Sequence, residues 1–251
     1  MKYVLLFVLP VSIFIVYLWL FRKRHRTVGS LLAPKPLESL FDEIDTTPDQ
    51  PVPFGYKMSW LAVKSDDAER VLKSLVMENV QPANWHTGCI AAYHYHTFVT
   101  PVVDGWVFVL AVDLPTLYTA ADSSEFTALL SRLSEEFGEV QYFCTHRVSE
   151  SHSWARFIEG KEIRAFAYAD SETYANRGDK TSGEIELGYQ YFDDTSPEAE
   201  SEAYWEREDL CSPDEEHVME IAGKWSINPN SFEEREFPAG VGWIGNLVRS
   251  H

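Results

Sequence analysis

Residues Phe98–Val112, FVTPVVDGWVFVLAV, decide the fold class of this chain. Two apolar runs flank the pair Asp104-Gly105, which readily adopts the positive φ angles that a two-residue hairpin turn requires. Because a hairpin joins antiparallel strands, this stretch favours an antiparallel sheet over a parallel one. Pro101 has no backbone N–H to donate, so the first arm of the hairpin is expected at a sheet edge or at a bulge.

Further strands are predicted on both sides of this hairpin. The run Phe54–Val63 alternates apolar positions with period two, as a strand does. Val140–His146 is a second apolar run, and it precedes another predicted hairpin. That hairpin turns at Glu159–Lys161, between arms at Trp154–Ile158 and Ile163–Tyr168. Together these runs predict a sheet in which most neighbours are antiparallel.

Three amphipathic helices are predicted among these strands. The first begins at Asp66, which with Glu69 resembles a capping box. The second spans Ser123–Phe137 and stops before Gly138. The third begins in the capping sequence that opens at Ser212. We therefore predict an α+β domain with a mostly antiparallel sheet and with helices packed on one of its faces.

The first segment predicts a membrane anchor. Tyr3–Phe21 is a run of 19 residues without a charge, enough for a helix of roughly 30 Å, the thickness of the hydrocarbon layer. No small-x-small site follows it, so a cleaved signal peptide is not expected. Positive residues stay on the cytoplasmic side, so the amino terminus is expected outside and the domain in the cytoplasm. The positive residues of this flank are Arg22, Lys23, Arg24 and Arg26.

The sequence divides into three regions. Residues 1–26 form the predicted transmembrane anchor with its basic flank, residues 27–53 form a Pro-rich tether, and residues 54–251 form the domain, with an acidic insert at 193–216. The patch Leu37–Phe41 in the tether either docks on the domain or on lipid, or stays unattached. The acidic insert is expected to be solvated and mobile. The location predicted for the chain is the inner (cytoplasmic) membrane, as a single-pass protein.

The charge balance excludes one class of partner and favours another. The chain has 21 basic and 39 acidic residues and a formal net charge of −18. A nucleic-acid partner is not expected, because phosphate contacts need clustered Lys and Arg. Residues 1–28 hold five of the basic residues and no acidic one, so residues 29–251 carry −23. Such a field favours encounter with a basic protein. Trp205, inside the acidic insert, is either an anchor for that partner or an aromatic residue docked on the domain.

Histidines supply the candidate catalytic and metal-binding residues. His94 and His96 lie two apart on a possible strand, where they point the same way and could share a zinc ion with a third ligand. An exposed aromatic strand face explains them equally well, so neither a metal nor another cofactor is expected. His146, Arg147 and His152 are the catalytic candidates, because a histidine beside an arginine can hold an anionic group. The simpler alternative is a strand end with ordinary hydrogen bonds.

Known catalytic motifs do not accompany these histidines. The sequence has no nucleophile elbow, no phosphate-binding Gly-Lys-Ser/Thr loop, no dinucleotide fingerprint and no His-Glu-x-x-His. Cys144 lies two residues before His146, but a buried thiol is the simpler interpretation of it. The three cysteines are far apart and odd in number, which argues against a disulfide framework.

Four blocks of the sequence resemble an uncharacterised bacterial protein family. They are GYKMSWLAV at 55–63, VDGWVFVLA at 103–111, QYFCTHRV at 141–148 and EIAGKWSINP at 220–229. The resemblance implies no activity and no site residues. In its acidic, aromatic-rich composition the chain is also similar to immunity proteins of bacterial toxin systems.

Two functional hypotheses follow. The favoured one is a membrane-tethered, acidic, non-catalytic binding protein that engages a basic partner, as an immunity protein would. The alternative is a metal-dependent hydrolase that uses His94, His96 and His146.

Overall fold

A computed structural model describes residues 35–234 and 236–249. Within these residues, nine strands form one sheet in the order β2-β9-β3-β4-β1-β5-β6-β7-β8, and every pair of neighbours is antiparallel. The strands are β1 (Met58–Lys64), β2 (Met77–Asn84), β3 (Thr97–Val99), β4 (Trp106–Ala111), β5 (Glu139–His146), β6 (Ser151–Ile158), β7 (Lys161–Ala169), β8 (Glu172–Arg177) and β9 (Val241–Leu247).

Helices cover both faces of this sheet. The α-helices are α1 (Ala68–Ser74), α2 (Trp85–Tyr93), α3 (Ala120–Phe137), α4 (Ser182–Leu187), α5 (Glu202–Trp205) and α6 (Glu215–Trp225). Short 3-10 helices lie at Leu37–Ser39, Pro197–Glu200 and Pro229–Glu233. The core that contains α1 and α3 lies on one face, and the core that contains α2 and α6 lies on the other, where α4 also packs. The protein is therefore an α+β fold.

The structure corrects the predicted architecture. The prediction that helices pack on one face is wrong, because in β1 Trp60 faces one core and Leu61 faces the other. A strand that is apolar at consecutive positions needs cover on both sides. Among the described residues, no helix combines the length and the apolar character needed to cross a bilayer. The predicted span, residues 3–21, and its basic flank, residues 22–26, lie outside the described residues.

One row of large apolar side chains crosses seven strands of the sheet, and we call it the central row. Consecutive members are register neighbours on β9, β3, β4, β1, β5, β6 and β7. They are Ile244, Phe98, Leu110, Trp60, Phe143, Trp154 and Phe166, and all are buried. The rings of Trp60 and Phe143 stack with centroids 5.1 Å apart, and those of Trp154 and Phe166 with centroids 4.5 Å apart. Stacked aromatic pairs add to the free energy gained from their burial.

A buried ion pair holds α4 against this row. Arg164 Nε donates to Glu184 Oε1 at 2.9 Å, and both side chains are at most 4% exposed. Trp154 Nε1 donates to the same carboxylate at 3.0 Å. The other carboxylate oxygen accepts a hydrogen bond from the backbone N–H of Thr181, the N-cap residue of α4. Glu184 therefore joins the start of α4 to two strands of the sheet, and its charge is compensated where water cannot reach it.

Both predicted hairpins are confirmed, with one difference. φ is +49° at Asp104 and +79° at Gly105, as the turn between β3 and β4 requires. β6 and β7 pair across Glu159-Gly160. The first arm is not at a sheet edge, however, because β3 lies between β9 and β4. The strand accommodates Pro101 by ending at Val99.

The starts of the helices differ from the predicted ones by a few residues. Asp67, not Asp66, caps α1, and Thr119 caps α3, which starts before the predicted Ser123. Asp214 caps α6 in place of the predicted Ser212. An N-cap needs both an extended backbone and a side-chain oxygen near the free N–H groups. Where several Ser, Thr or Asp residues are adjacent, the sequence does not choose among them.

The sequence-based prediction lacks three strands, β2, β8 and β9, and of these β9 is the one that joins β2 to the rest of the sheet. It pairs with β2 on one side and with β3 on the other. A Cβ on Gly242 would lie 2.2 Å from the carbonyl oxygen of Val99, so this close approach of two strands requires glycine. The glycine at this position is therefore what allows the segment to enter the sheet.

The compact unit that contains the sheet begins at Leu37, further toward the amino terminus than residue 54. Leu37 and Phe41 pack against the core, so the predicted patch docks on the domain. The Asp49 carboxylate accepts the N–H groups of Trp85 and His86 at 2.7 and 2.9 Å, at the start of α2. This part of the predicted tether therefore contributes to the fold.

We expect Arg164→Met to lower the free energy of unfolding by about 3–5 kcal/mol, because it leaves the Glu184 carboxylate buried without its cation. Urea denaturation of the full chain measures the change. Arg164→Met combined with Glu184→Met should lose less, since no buried charge is then uncompensated. Lys73→Met is the control, because it breaks only the exposed pair with Glu69, and it should cost less than about 1 kcal/mol. If Arg164→Met and Lys73→Met lowered the free energy of unfolding equally, the role given to the buried pair would be contradicted.

Candidate functional site

A row of buried side chains beside the central row leads to the candidate site. Met58, Thr145, His152 and Tyr168 are register neighbours on β1, β5, β6 and β7. All four are at most 5% exposed. Each of the four lies two residues along its strand from a member of the central row. Because side chains two residues apart on a strand point to the same face, these four also face the core that contains α6. Between this row and the start of α6 lies a depression that we call the acidic cleft.

The acidic cleft has a volume of about 470 Å³. Its walls carry four carboxylates and one guanidinium. The residues that matter for its chemistry are Arg147, Glu150, His152, Tyr168, Ser212 and Asp214–Glu216. Since carboxylates outnumber the single arginine, the cleft attracts a cation more strongly than an anion.

His152 is the deeply buried ionisable group of the cleft. Its Nδ1 lies 2.9 Å from Thr145 Oγ1, and its Nε2 has no hydrogen-bond partner among the described residues. Burial lowers the pKa of His152 to about 4; Asp214 opposes this shift, and His217 and His146 add to it. The imidazole is therefore neutral at pH 7, with one ring nitrogen fixed by Thr145.

Glu215 carries the other polar atom of the cleft that lacks a partner. Its Oε1 accepts a hydrogen bond from Arg147 Nη1 at 3.4 Å, which is a long contact. Its Oε2 is buried and accepts no hydrogen bond from the described residues. The neighbouring Glu216 accepts the Tyr56 hydroxyl at 2.7 Å. Buried polar atoms are rarely left without a partner, so Glu215 has capacity for a further donor.

The cleft offers no arrangement typical of nucleophilic catalysis. Thr145 is hydrogen-bonded to the imidazole, but it is 0% exposed and a substrate does not reach it. Ser212 is exposed, but its Oγ pairs with the Tyr168 hydroxyl at 3.1 Å. A nucleophile needs both access and a hydrogen-bonded base. Thr145 lacks access, and Ser212 has no hydrogen bond to His152.

The three predicted catalytic residues are divided between two clefts. Arg147 and His152 line the acidic cleft, whereas His146 lines a second cleft of about 300 Å³ together with Cys144. His146 Nδ1 lies 2.9 Å from Ser149 Oγ. Burial raises the pKa of the Cys144 thiol. A protonated thiol is a poor nucleophile, so Cys144 acts as a small buried side chain.

The predicted zinc pair does not lie on a strand. His94 ends helix α2, and Tyr95 has a φ of +69°, so the two histidines are not alternate residues of an extended chain. His96 is buried, and its Nδ1 lies 2.9 Å from Asn246 Oδ1. In residues 35–234 and 236–249, no three His, Cys, Asp or Glu residues are placed to hold a metal ion together.

The acidic insert is ordered on the domain, contrary to the expectation of a mobile segment. Asp194 Oδ1 accepts the Thr173 N–H of β8 at 2.7 Å. The Tyr204 hydroxyl accepts the Asp193 N–H at 2.7 Å, and Tyr204 is buried. Arg207 binds Glu198 and Asp209. Backbone anchors therefore overcome the repulsion among the carboxylates.

Trp205 is fixed in this insert and remains accessible. Its ring stacks on Phe192 with centroids 5.5 Å apart and planes 15° apart. Its Nε1 donates to the carbonyl oxygen of Ala199 at 2.9 Å. The residue is nevertheless 46% exposed, and Glu202 and Glu206 flank it in the chain. Trp205 thus presents a rigid aromatic surface among carboxylates.

Of the cleft residues named above, sequence reasoning identified only Arg147 and His152 as candidates. Tyr168 was assigned to a hairpin arm, Ser212 and Asp214–Glu216 were assigned to a helix start, and Glu150 was not singled out. A signal for Tyr168 was present, because the β6–β7 hairpin register places it opposite His152. No sequence signal places the start of α6 beside that pair, because the contact joins segments far apart in the chain.

Comparison of the chain with protein-family models, with curated proteins and with solved structures gave no match. The resemblance of the four sequence blocks to an uncharacterised bacterial family therefore stays a prediction.

The pKa of His152 predicts a pH dependence of stability. Its value in the folded chain, about 4, lies below the reference value of 6.5, so between these pH values the unfolded chain binds a proton that the folded chain does not. Stability is retained above pH 6.5 and lost as the pH falls toward 4, by roughly 1.4 kcal/mol for each pH unit. From pH 7 to pH 5, the original chain should lose about 2 kcal/mol more than His152→Gln.

Urea denaturation at both pH values measures this difference. His146→Gln is the control, because it removes an imidazole that lies outside the acidic cleft, and it should follow the original chain. A His152 imidazole that titrates near pH 6.5 by NMR would contradict the prediction.

Proposed function

We propose that this chain is an acidic, non-catalytic binding protein and that its partner is a basic protein. Trp205 is the observation that carries the proposal. A tryptophan held by stacking and by a hydrogen bond, yet half exposed, has the properties of an interface anchor, because little conformational entropy remains to be lost on binding.

The charge around Trp205 supports a basic partner. The insert at 193–216 holds 11 acidic residues, and its one basic residue, Arg207, is already paired with Glu198 and Asp209. A cationic side chain near an aromatic ring gains a cation–π attraction, and the surrounding carboxylates add to it. Arginine gains more than lysine, because its planar guanidinium also stacks on the ring.

The order of the insert also supports binding. A mobile acidic segment loses conformational entropy when a partner fixes it, and this loss weakens the complex. The insert is instead held by Asp194 and Tyr204 before any partner arrives. The negative field of residues 29–251 further accelerates encounter with a basic surface.

The alternative of a metal-dependent hydrolase gains no support from the described residues. His94 and His96 are not presented by one strand, and His146 lies in a different cleft from His152. The immunity-like role and the location at the inner membrane stay predictions. The location rests on the sequence of residues 3–26, which lie outside the described residues.

We expect the full chain to bind a deca-arginine peptide more tightly than a deca-lysine peptide, and deca-glutamate not at all. Trp205→Ala should weaken deca-arginine binding by about two- to fivefold, the effect of one exposed cation–π contact. Calorimetric titration at low and high salt measures both effects, and affinity should fall as salt rises.

Two variants control this experiment. Trp205→Phe keeps an aromatic ring and should retain most of the affinity. Val80→Ala removes an exposed apolar side chain on β2, at the sheet edge opposite β8, and should leave binding unchanged. If the affinity for deca-arginine changed neither with salt nor with Trp205→Ala, the proposal would be contradicted.

A further inference from the structure

The acidic cleft contains two polar atoms that its own residues leave without a hydrogen bond. His152 is 4% exposed and lines the cleft, with Nδ1 taken by Thr145 and Nε2 without a partner among the described residues. Glu215 also lines the cleft, and its Oε2 is buried without a hydrogen-bond partner among the described residues. Leaving a buried atom such as Glu215 Oε2 unpaired lowers stability. That carboxylate and the open Nε2 of His152 belong to residues that line one cleft, which points to a ligand.

The chemistry of the two atoms indicates the kind of ligand. A carboxylate oxygen only accepts hydrogen bonds. In the tautomer whose Nδ1–H donates to Thr145, Nε2 of the neutral His152 also accepts. With Asp214 and Glu150 nearby in the lining, the cleft suits a cation that carries several N–H donors. A guanidinium has five such donors in one plane.

Arg147 shows that Glu215 accepts a guanidinium. Its Nη1 contacts Glu215 Oε1 at 3.4 Å, while 65% of the arginine side chain stays exposed. The contact is long and solvated, so it contributes little free energy. A guanidinium that entered the cleft would compete with Arg147 for the Glu215 carboxylate.

We propose that the acidic cleft is a receptor for one arginine side chain of the basic partner, whose guanidinium binds Glu215 and His152 in competition with Arg147. This inference rests on the proposed function, and it adds a second contact site with a defined chemistry. Trp205 provides an exposed ring, whereas the cleft provides acceptors on two mostly buried side chains. Buried acceptors discriminate between ligands better than an exposed surface does, because a ligand without the matching donors leaves them unpaired.

The probe is N-acetyl-L-arginine amide, added to the full chain in nonionic detergent. Its neutral isostere, N-acetyl-L-citrulline amide, is the ligand control. Calorimetry measures affinity, and NMR of the histidine side chains reports contact with His152. We expect the arginine probe to bind at least about tenfold more tightly than the citrulline probe and to shift the His152 signals.

Two variants with opposite effects test the role of Glu215. Glu215→Gln should weaken the arginine probe by about tenfold, and Arg147→Ala should strengthen it because the competitor is gone. Glu69→Gln and Arg132→Ala are the matched controls, which make the same charge changes on α1 and α3, against the opposite face of the sheet. If the control variants changed the affinity for the arginine probe as much as the cleft variants do, the effect would come from net charge alone. That result would overturn the proposal.

The remaining outcomes separate this inference from the proposed function. If deca-arginine binds in a manner sensitive to Trp205→Ala but the arginine probe leaves the His152 signals unmoved, only the cleft receptor is wrong. If neither ligand binds, both proposals are wrong. Equal affinity for N-acetyl-L-lysine amide would overturn the choice of a guanidinium.

Discussion

The packing of the central row is the constraint on which the other features of this protein depend. Its seven side chains lie in register across seven strands, with Trp60 near the middle and Phe166 at one end. A slip of one residue between any two strands would turn a ring out of this core and into the other one. The register that buries the rings therefore also fixes every polar side chain that lies two residues away along a strand.

Polar side chains lie on both sides of the central row, and the two sides differ in how fully their hydrogen bonds are satisfied. Toward one end of the strands, Arg164 is surrounded by acceptors and paired with Glu184. Toward the other end, His152 and Glu215 each keep an atom without a partner. The first network is saturated, so it stabilises the fold. The second has unused acceptors, so it is suited to binding. The same sheet face thus provides both a structural ion pair and a candidate receptor.

The acidic insert joins this face to the proposed binding surface. Its last residues form the wall of the acidic cleft at Asp214–Glu216, and its middle presents Trp205. A hydrogen bond to β8 and the packing of Tyr204 and Trp205 against Phe192 hold it in place. Repulsion among carboxylates is spread along the chain and screened by salt, whereas each anchoring contact is local and partly buried. Local burial therefore decides the conformation of a segment whose composition alone is typical of disorder.

The sequence by itself determined the antiparallel pairing, through the turn at Asp104-Gly105, and the stripes of the helices, because both depend on residues close together in the chain. It also identified Arg147, His152 and Trp205 as residues of interest. Only the tertiary structure decided that β9 enters the sheet, that helices cover both faces, and that His152 and Glu215 line one cleft while His146 lines another. These outcomes depend on contacts between distant segments, and local propensity carries no information about which distant segment will supply the partner.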